Sequence, residues 1–275
     1  MQTFNFEDFL KYTNKQINSN RLNELAWLIG FSEGDGSWHV DTKSNRTYFI
    51  INQKDPKVLY RVRSILGFGK VRDYKTFFRF SVTDRKGTFY LIQLFNGNLV
   101  LKKSYEAFNL YLKVFNVTGK TKLLGVDEQK QIELSCKRPL PTLKDAWLSG
   151  FIDAEGCFSF DKRSGRVLSA LRFHLTQYDE LDLFNHLAAF FLVNVAEFSN
   201  SNDPTRKFLR IYLQGAKVSI LINYLDLFPL YSEKSIMFVK FKKILTRLID
   251  GKDHSLRRSS ARLIRLTESL HKYKK

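Results

Sequence analysis

Leu28-Ile29-Gly30-Phe31-Ser32-Glu33-Gly34-Asp35-Gly36 is repeated later in the chain as Leu148-Ser149-Gly150-Phe151-Ile152-Asp153-Ala154-Glu155-Gly156. Each copy predicts a short apolar helix that ends in a carboxylate and a glycine. Small residues recur at every fourth position of each helix, which leaves one helix face nearly without side chains. We therefore expect these faces to pack closely, in a helix interface made by Ala26, Gly30, Ala146 and Gly150.

The last acid of each copy, Asp35 or Glu155, stands at the carboxyl end of its predicted helix. The helix dipole disfavours a carboxylate there, so a positive partner is expected. If the helices pack, the acids meet, and their oxygens together with the main-chain oxygens of Gly34 and Ala154 suit Mg²⁺. The alternative is a pair of C-capping acids satisfied by lysine. The earlier acid of each motif, Glu33 or Asp153, lies on another face and is interpreted as structural or only peripherally involved. The final glycine is expected to take a positive φ.

The composition indicates the kind of partner. The chain of 275 residues has a formal net charge of +18 and a sequence pI near 9.8. This excess favours a polyanion such as nucleic acid, the alternative being a generally basic protein. Cys136 and Cys157 belong to no CxxC or Cys/His pattern, which argues against disulfides and structural zinc. The amino terminus has the features of neither a signal nor a transit peptide, and no apolar run is long enough to span a membrane.

The predicted elements after the second motif repeat the order of those after the first, which indicates an internal duplication of the α+β class. Each unit reads as αββαββα, with helices on one side of an antiparallel sheet. Asp55-Pro56 predicts the start of one helix and Gly67 its end, and Thr142 to Asp145 forms a capping-box pattern before the second motif. The predicted boundaries are an N-terminal arm at 1–19, a first repeat at 20–115, a linker at 116–141, a second repeat at 142–249 and a basic tail or helix at 250–275.

Antiparallel strands covered on one side should alternate apolar and polar residues, and the predicted strands do so. In the second repeat, Arg210 and Tyr212 alternate with Leu209 and Ile211. Arginine, glutamine and histidine on an open sheet face suit the reading of base edges in the DNA major groove, although a solvated face is the alternative. Two such sheets would cover roughly 20 base pairs. The predicted DNA-binding residues are His39, Lys70, Arg72, Arg79, Ser81, Arg172, His174, Thr176, Arg206, Phe208, Arg210, Tyr212 and Gln214.

Two further polar positions are duplicated. Gln53 and Gln177 each lie at the end of the second predicted strand of a repeat, and Lys103 and Lys234 each lie at the start of a late helix. Together with the last acids of the motifs they form the predicted catalytic set, since a glutamine can position a water and a lysine can offset phosphate charge. Lys102 is an alternative to Lys103. Strand alternation puts Gln53 on the core side, so it needs a bulge or the strand end to reach the acids.

Both motifs match the core G-F-x-[DE]-x-[DE]-G, and nearly the whole chain resembles the LAGLIDADG homing endonucleases of the single-chain, two-repeat type. The resemblance implies a saddle-shaped, pseudo-symmetric monomer that binds a long DNA site and hydrolyses one phosphodiester on each strand. It implies Mg²⁺ or Mn²⁺ as cofactor, with Ca²⁺ binding but not supporting cleavage, and Asp35 and Glu155 as the metal-binding acids. Ser32 replaces the commoner Ile or Val of the motif, and Glu33 replaces Asp.

Three functions compete at this point. A site-specific DNA endonuclease that makes a metal-dependent double-strand break is favoured because both last acids are intact. The second hypothesis is an intron RNA maturase, alone or in addition to cleavage. The third is a DNA-binding regulator with a relict catalytic site. The resemblance also implies a mobile-intron setting and an organellar protein, most often mitochondrial and encoded there, with the cytoplasm as the alternative.

Overall fold

A computed structural model describes residues 4–117, 131–160, 171–200 and 203–249, together with Arg265 and Glu268. It divides into two compact units, Met1–Ala154 and Glu155–Lys275. Part of the predicted linker and nearly all of the predicted tail lie outside the described residues. Within the described part, no helix is long and apolar enough to cross a membrane.

The first unit is α+β, with one four-stranded antiparallel sheet in the order β1-β2-β4-β3. Its last helix, α6, extends by one residue into the second unit. The elements are α1 Glu7–Thr13, α2 Ser19–Asp35, β1 Gly36–Asp41, β2 Arg46–Gln53, α3 Pro56–Leu66, β3 Lys70–Asp73, β4 Phe78–Val82, α4 Arg85–Phe95, α5 Lys102–Val117 and α6 Trp147–Glu155.

The second unit has the same topology, with strand order β5-β6-β8-β7. Its elements are β5 Cys157–Phe160, β6 Leu171–Tyr178, α7 Leu181–Phe190, β7 Val195–Asn200, β8 Asp203–Gln214, a 3₁₀ turn at Gly215–Lys217, α8 Val218–Leu227 and α9 Lys234–Ile249. The predicted α+β duplication with two antiparallel sheets is therefore confirmed. The predicted order includes a strand at the place of β7, but its residues were not assigned from the sequence.

Helix α3 has the start and stop signals that its sequence predicts. The side chain of Asp55 accepts a hydrogen bond from the backbone N–H of Lys57 at 3.0 Å, and Pro56 occupies the first turn. Gly67 ends the helix in the left-handed region at φ 79°. The expected apolar stripe of α3 is buried, so this helix covers one face of the sheet.

One local expectation at the motif helices was wrong, and a second holds only in part, because the hydrogen bond from Thr142 N–H to Asp145 forms but the helix starts later than expected. Gly36 has φ −80°, in the extended region, and it must be glycine because a Cβ there would lie 2.3 Å from the carbonyl oxygen of Ser32. The capping box is also displaced, since α6 begins at Trp147. Asp145 Oδ1 accepts from the N–H of Trp147 at 3.1 Å, while Oδ2 accepts from the N–H of Thr142 at 2.7 Å.

The predicted N-terminal arm contains helix α1, and it is attached to the first unit. Phe9 and Leu10 are buried. Asn98, in the loop after α4, accepts a hydrogen bond from the backbone N–H of Asn5 at 2.8 Å and donates one to its carbonyl oxygen at 2.6 Å. The reciprocal pair satisfies both backbone groups of Asn5, so the arm has a defined position.

An aromatic cluster forms the core between the sheet and the helices of the first unit. The indole of Trp38 lies within 5.2 Å, between ring centroids, of the rings of Phe49, Phe95, Phe108 and Tyr111. The opposite face of the sheet carries polar side chains. In the part of the chain that the structure describes, the helices of this unit cover one side of the sheet and leave the polar side open.

Candidate active site and nucleic-acid interface

Helices α2 and α6 touch through their backbones at the two motif glycines. A Cβ added to Gly30 would lie 2.0 Å from the carbonyl oxygen of Trp147, and one added to Gly150 would lie 1.9 Å from that of Trp27. A carbon atom cannot approach an oxygen so closely, because the van der Waals contact distance exceeds 3 Å. The small-residue faces therefore set the distance between these helices.

The same helices are joined by two reciprocal hydrogen bonds between tryptophan and acid. The indole N–H of Trp27 donates to Asp153 Oδ2 at 2.9 Å, and that of Trp147 donates to Glu33 Oε2 at 2.7 Å. Glu33 and Asp153 are 2% and 3% exposed. These are the earlier acids of the two motifs, and their burial and hydrogen bonds agree with the structural role expected for them. The tryptophans were missed by sequence reasoning, although each stands six residues before its motif's earlier acid.

Glu33 also binds the start of α5. Its Oε1 accepts hydrogen bonds from the backbone N–H groups of Val100 and Leu101, at 2.8 and 2.7 Å. Helix α5 begins at the next residue, Lys102, so the carboxylate compensates amide groups at a helix start, where the dipole favours negative charge. The two candidate lysines, Lys102 and Lys103, therefore stand in the first turn of a helix that is tied to the motif helix.

Asp35 has a different environment from Glu33. It is the last residue of α2, it is partly exposed, and its Oδ2 accepts a hydrogen bond from Gln53 Nε2 at 2.6 Å. Gln53 reaches the acid because it is the last residue of β2, and because β1 begins with Gly36 paired to Ile51. Of the two ways expected for Gln53 to reach the acid, a bulge or the strand end, the structure shows the strand end. Among the described residues, no three His, Cys, Asp or Glu side chains form a cluster.

In the second unit, Glu155 is the partly exposed last residue of α6. Gln177 is 8% exposed, and its Oε1 accepts from the backbone N–H of Tyr178 at 3.0 Å, whereas its buried Nε2 has no hydrogen-bond acceptor among the described residues. Lys234 is the first residue of α9, and Lys103 is exposed in the first turn of α5. The catalytic roles of these residues stay predictions.

The predicted DNA-binding residues of the first unit lie on the sheet face away from the helices, and all of them are exposed or partly exposed. Across the strands, Ser81 pairs with Lys70, and Arg79 pairs with Asn52 on one side and Arg72 on the other. Arg79 Nε donates to Asn52 Oδ1 at 2.8 Å. Asn52 alternates with the buried Ile51 and so lies on the same open face, but it was not among the predicted DNA-binding residues.

The second sheet presents a corresponding face. Its paired positions are Arg172 with Gln214, His174 with Tyr212, Thr176 with Arg210 and Tyr178 with Phe208. The inward residues between them are buried, including Phe173 and Leu213. Each unit therefore has one apolar sheet face under helices and one face of arginine, polar and aromatic side chains.

The chain belongs to the LAGLIDADG endonuclease family, whose model matches residues 28–115 and 148–245. These two segments begin at the two motif helices, so both copies of the repeat are covered by the match.

Individual relatives agree with this assignment. The chain is 32% identical over 235 residues to the probable intron-encoded endonuclease 4 of Neurospora crassa, covering 82% of this chain and 40% of that protein. It is 27% identical over 180 residues to the intron-encoded DNA endonuclease aI3 of Saccharomyces cerevisiae, covering 58% of this chain and 41% of the relative. The chain thus spans about two fifths of the length of these relatives.

The fold matches that of a solved family member, the LAGLIDADG meganuclease I-AabMI bound to uncleaved DNA. The TM-score is 0.67 at 22% sequence identity, and the match covers 89% of this chain and 98% of the other. The comparison shows a common fold over almost the whole of both chains.

Proposed function

We propose that this protein is a site-specific DNA endonuclease that makes a metal-dependent double-strand break in a long recognition site. The observation that carries the proposal is the contrast between the two acids of the first motif. Glu33 is buried and satisfied by three hydrogen bonds, whereas Asp35 is partly exposed at a helix end and is oriented by Gln53. A carboxylate kept accessible at a dipole end that disfavours it indicates a functional rather than a stabilising role.

Double-stranded DNA is the proposed partner. Each unit has an open antiparallel sheet face with arginines and hydrogen-bonding side chains, and the whole chain has a formal net charge of +18. Base edges are read by such side chains, while the positive field attracts the phosphate backbone. Two relatives are named endonucleases, and I-AabMI was solved with DNA. With one sheet for each half, the recognition site would extend over roughly 20 base pairs.

A divalent cation, Mg²⁺ or Mn²⁺, is the proposed cofactor, and the donor atoms of the site fit it. Asp35 and Glu155 offer carboxylate oxygens, and Gly34 and Ala154 offer carbonyl oxygens at helix ends, so the set consists of hard oxygen ligands. Magnesium sites commonly use one or two carboxylates and leave room for substrate phosphate. When bound, the ion activates water and stabilises charge on the leaving oxygen.

The protein side chains would then divide the remaining tasks. Gln53 orients Asp35 through its amide N–H, and its carbonyl oxygen can accept a hydrogen bond from the attacking water. Lys103 and Lys234 are proposed to offset the charge of the scissile phosphates, and Gln177 to act in the second unit as Gln53 does in the first.

The test uses a target selected from a randomised duplex library by binding in Ca²⁺. Cleavage of that target is then measured in Mg²⁺ for the wild type and for Asp35→Asn and Glu155→Gln. We expect both variants to bind the target but not to cut both strands. Asp8→Asn removes an exposed acid of α1 and serves as the control with unchanged cleavage. Full cleavage by either active-site variant would contradict the proposal.

We also propose that the gene lies within an intron of a mitochondrial gene, because two relatives are named intron-encoded proteins of fungi. The RNA maturase hypothesis stays a prediction. Splicing rescue by the Asp35→Asn variant would support it independently of DNA cleavage.

A further inference from the structure

Two arginines occupy equivalent positions on the open faces of the two sheets. In the first sheet the buried pair Ile51–Phe80 is followed by the outward pair Asn52–Arg79. In the second sheet the buried pair Leu175–Ile211 is followed by the outward pair Thr176–Arg210. Both arginines lie on the third strand in the spatial order of their sheet, and both face a short polar side chain on the second strand.

Each of these arginines is held by the same two kinds of contact. Arg79 Nε donates to Asn52 Oδ1 at 2.8 Å, and its guanidinium carbon lies 4.9 Å from the ring centroid of Tyr74 and 5.3 Å from that of Phe77. A hydrogen bond from Nε and a stacked ring restrict the side chain before any ligand arrives. Within the described part of the chain, no side chain or backbone group accepts a hydrogen bond from the two terminal Nη groups of Arg79, so they can meet a ligand.

The second unit repeats this arrangement with different residues. Arg210 Nε donates to Thr176 Oγ1 at 3.1 Å, and its guanidinium carbon lies 4.2 Å from the ring centroid of Phe198. Since the contacting side chains differ but both kinds of contact recur, the shared feature is a guanidinium that is oriented through its Nε and an aromatic ring.

The position of Arg79 on its sheet also distinguishes it from a simple phosphate contact. Arg72 lies directly across from Arg79 on the neighbouring strand, and like charges in such a pair destabilise a sheet. A flexible lysine, such as the exposed Lys70 beside them, would suffice as a point charge for a phosphate. A planar, pre-oriented fork instead matches two acceptors at a fixed spacing, which guanine presents in the major groove as N7 and O6.

We propose that Arg79 and Arg210 are specificity-determining residues, each of which reads one guanine through its Nη groups, one in each half of the recognition site. The inference rests on the proposed DNA-binding function. Adenine would set its N6 donor against the guanidinium, and thymine offers a single acceptor, so guanine is preferred by the geometry. Asn52 and Thr176 are positioning residues that orient the forks.

The experiment selects DNA from a randomised duplex library with the full-length protein in Ca²⁺ and sequences the bound molecules. Arg79→Lys keeps the charge and removes the fork. We expect it to reduce the preference for guanine at one position by about five- to 150-fold while leaving the other positions unchanged. Arg210→Lys should do the same at one position in the other half of the site. Arg63→Lys is the matched control, because this exposed arginine of α3 lies outside the proposed DNA interface, and binding and base preference should both be unchanged.

The outcomes distinguish this inference from the proposed function. If the wild type selects no DNA sequence, the DNA-binding proposal itself is wrong. If the wild type selects a site and Arg79→Lys and Arg210→Lys both select the same site, the two arginines do not read bases. A lower melting temperature of these variants, without a change in the selected sequence, would assign the arginines to stability. A relaxed position that prefers a base other than guanine would overturn the assignment of the ligand. Asn52→Ala and Thr176→Val should give a smaller relaxation at the same two positions.

Discussion

Replacing Gly30 by alanine should destabilise the protein, against the usual direction of a glycine-to-alanine change within a helix. Alanine normally stabilises a helix interior by about 1 kcal/mol relative to glycine. At Gly30 the added Cβ would lie 2.0 Å from the carbonyl oxygen of Trp147 and 2.9 Å from the backbone N of Phe151. Backbone atoms cannot rotate away as side chains do, so helices α2 and α6 must separate.

The required separation gives the magnitude. Carbon-to-oxygen contact needs about 3.3 Å, so the helices must move apart by roughly 1.3 Å. The bonds from Trp147 to Glu33 at 2.7 Å and from Trp27 to Asp153 at 2.9 Å would then lengthen beyond hydrogen-bonding range. Overpacking costs about 1–3 kcal/mol, and each lost hydrogen bond to a carboxylate costs about 1.5–3 kcal/mol. After the gain in helix propensity, the free energy of unfolding should fall by about 3 kcal/mol or more.

Urea denaturation of the full-length chain measures this change, and single-turnover cleavage measures its effect on function. Gly30→Leu should abolish cleavage without altering a predicted catalytic atom. Gly87→Ala is the control within another helix, because its Cβ would meet the side-chain tips of Val82 and Asp84 rather than a facing backbone. Equal or greater stability of Gly30→Ala would refute the claim that the glycines set the helix separation.

Three further predictions follow from individual contacts. Gln53→Ala removes the donor to Asp35, so single-turnover cleavage in Mg²⁺ should fall by about 10²-fold while binding in Ca²⁺ is unchanged. Glu33→Gln places a side-chain NH₂ group, which is a donor, against N–H groups that need an acceptor, and should lower the free energy of unfolding by about 1–3 kcal/mol. Asp35→Asn should instead raise it by a few tenths of a kcal/mol, because it removes a charge from a helix carboxyl end, and urea denaturation compares the two. Burial raises the pKa of Tyr111 to about 12. The unfolded chain therefore loses this proton first, stability falls between pH 10 and 12, and Tyr111→Phe should reduce that fall in denaturation curves.

The helices and most strands could be predicted from the sequence, because their signals are local. The Asp55-Pro56 start and the Gly67 end of α3 depend on residues within one turn of the helix. The repeated order predicted a strand where β7 lies, but its bounds were not assigned, since Val195 to Asn200 alternates weakly and gains its definition from pairing with β8. Such pairing depends on residues elsewhere in the chain and leaves little trace in the strand itself.

The motif glycines show a different limit. Gly36 was expected to adopt a left-handed conformation because glycine commonly ends helices in this way. The structure keeps it extended, and glycine is required by the space between Ser32 and Phe49. A sequence identifies a position that needs glycine more readily than it identifies the reason. At Gly30 and Gly150 the reason was recoverable, because the small residues recur with helical spacing in both copies.

Contacts between distant residues could not be predicted. Glu33 bonds to backbone groups 67 and 68 residues away and to an indole 114 residues away, and no local pattern encodes these partners. The anchors of Arg79 and Arg210 are of the same kind, with partners 27 and 34 residues away. Alternation placed both arginines on the correct face, but their orientation depends on strand register.

Helix geometry alone gives the two acids of the first motif different environments. They are separated by two residues, or about 200° around the helix axis, so one cannot be buried against α6 and α5 unless the other points elsewhere. Glu33 takes the buried side, where three N–H donors connect α2 to α6 and to the two residues that immediately precede α5. Asp35 is left beside the end of β2, where Gln53 meets it. The buried acid therefore connects α2 to the elements around it, while the accessible acid stands at the end of the same helix.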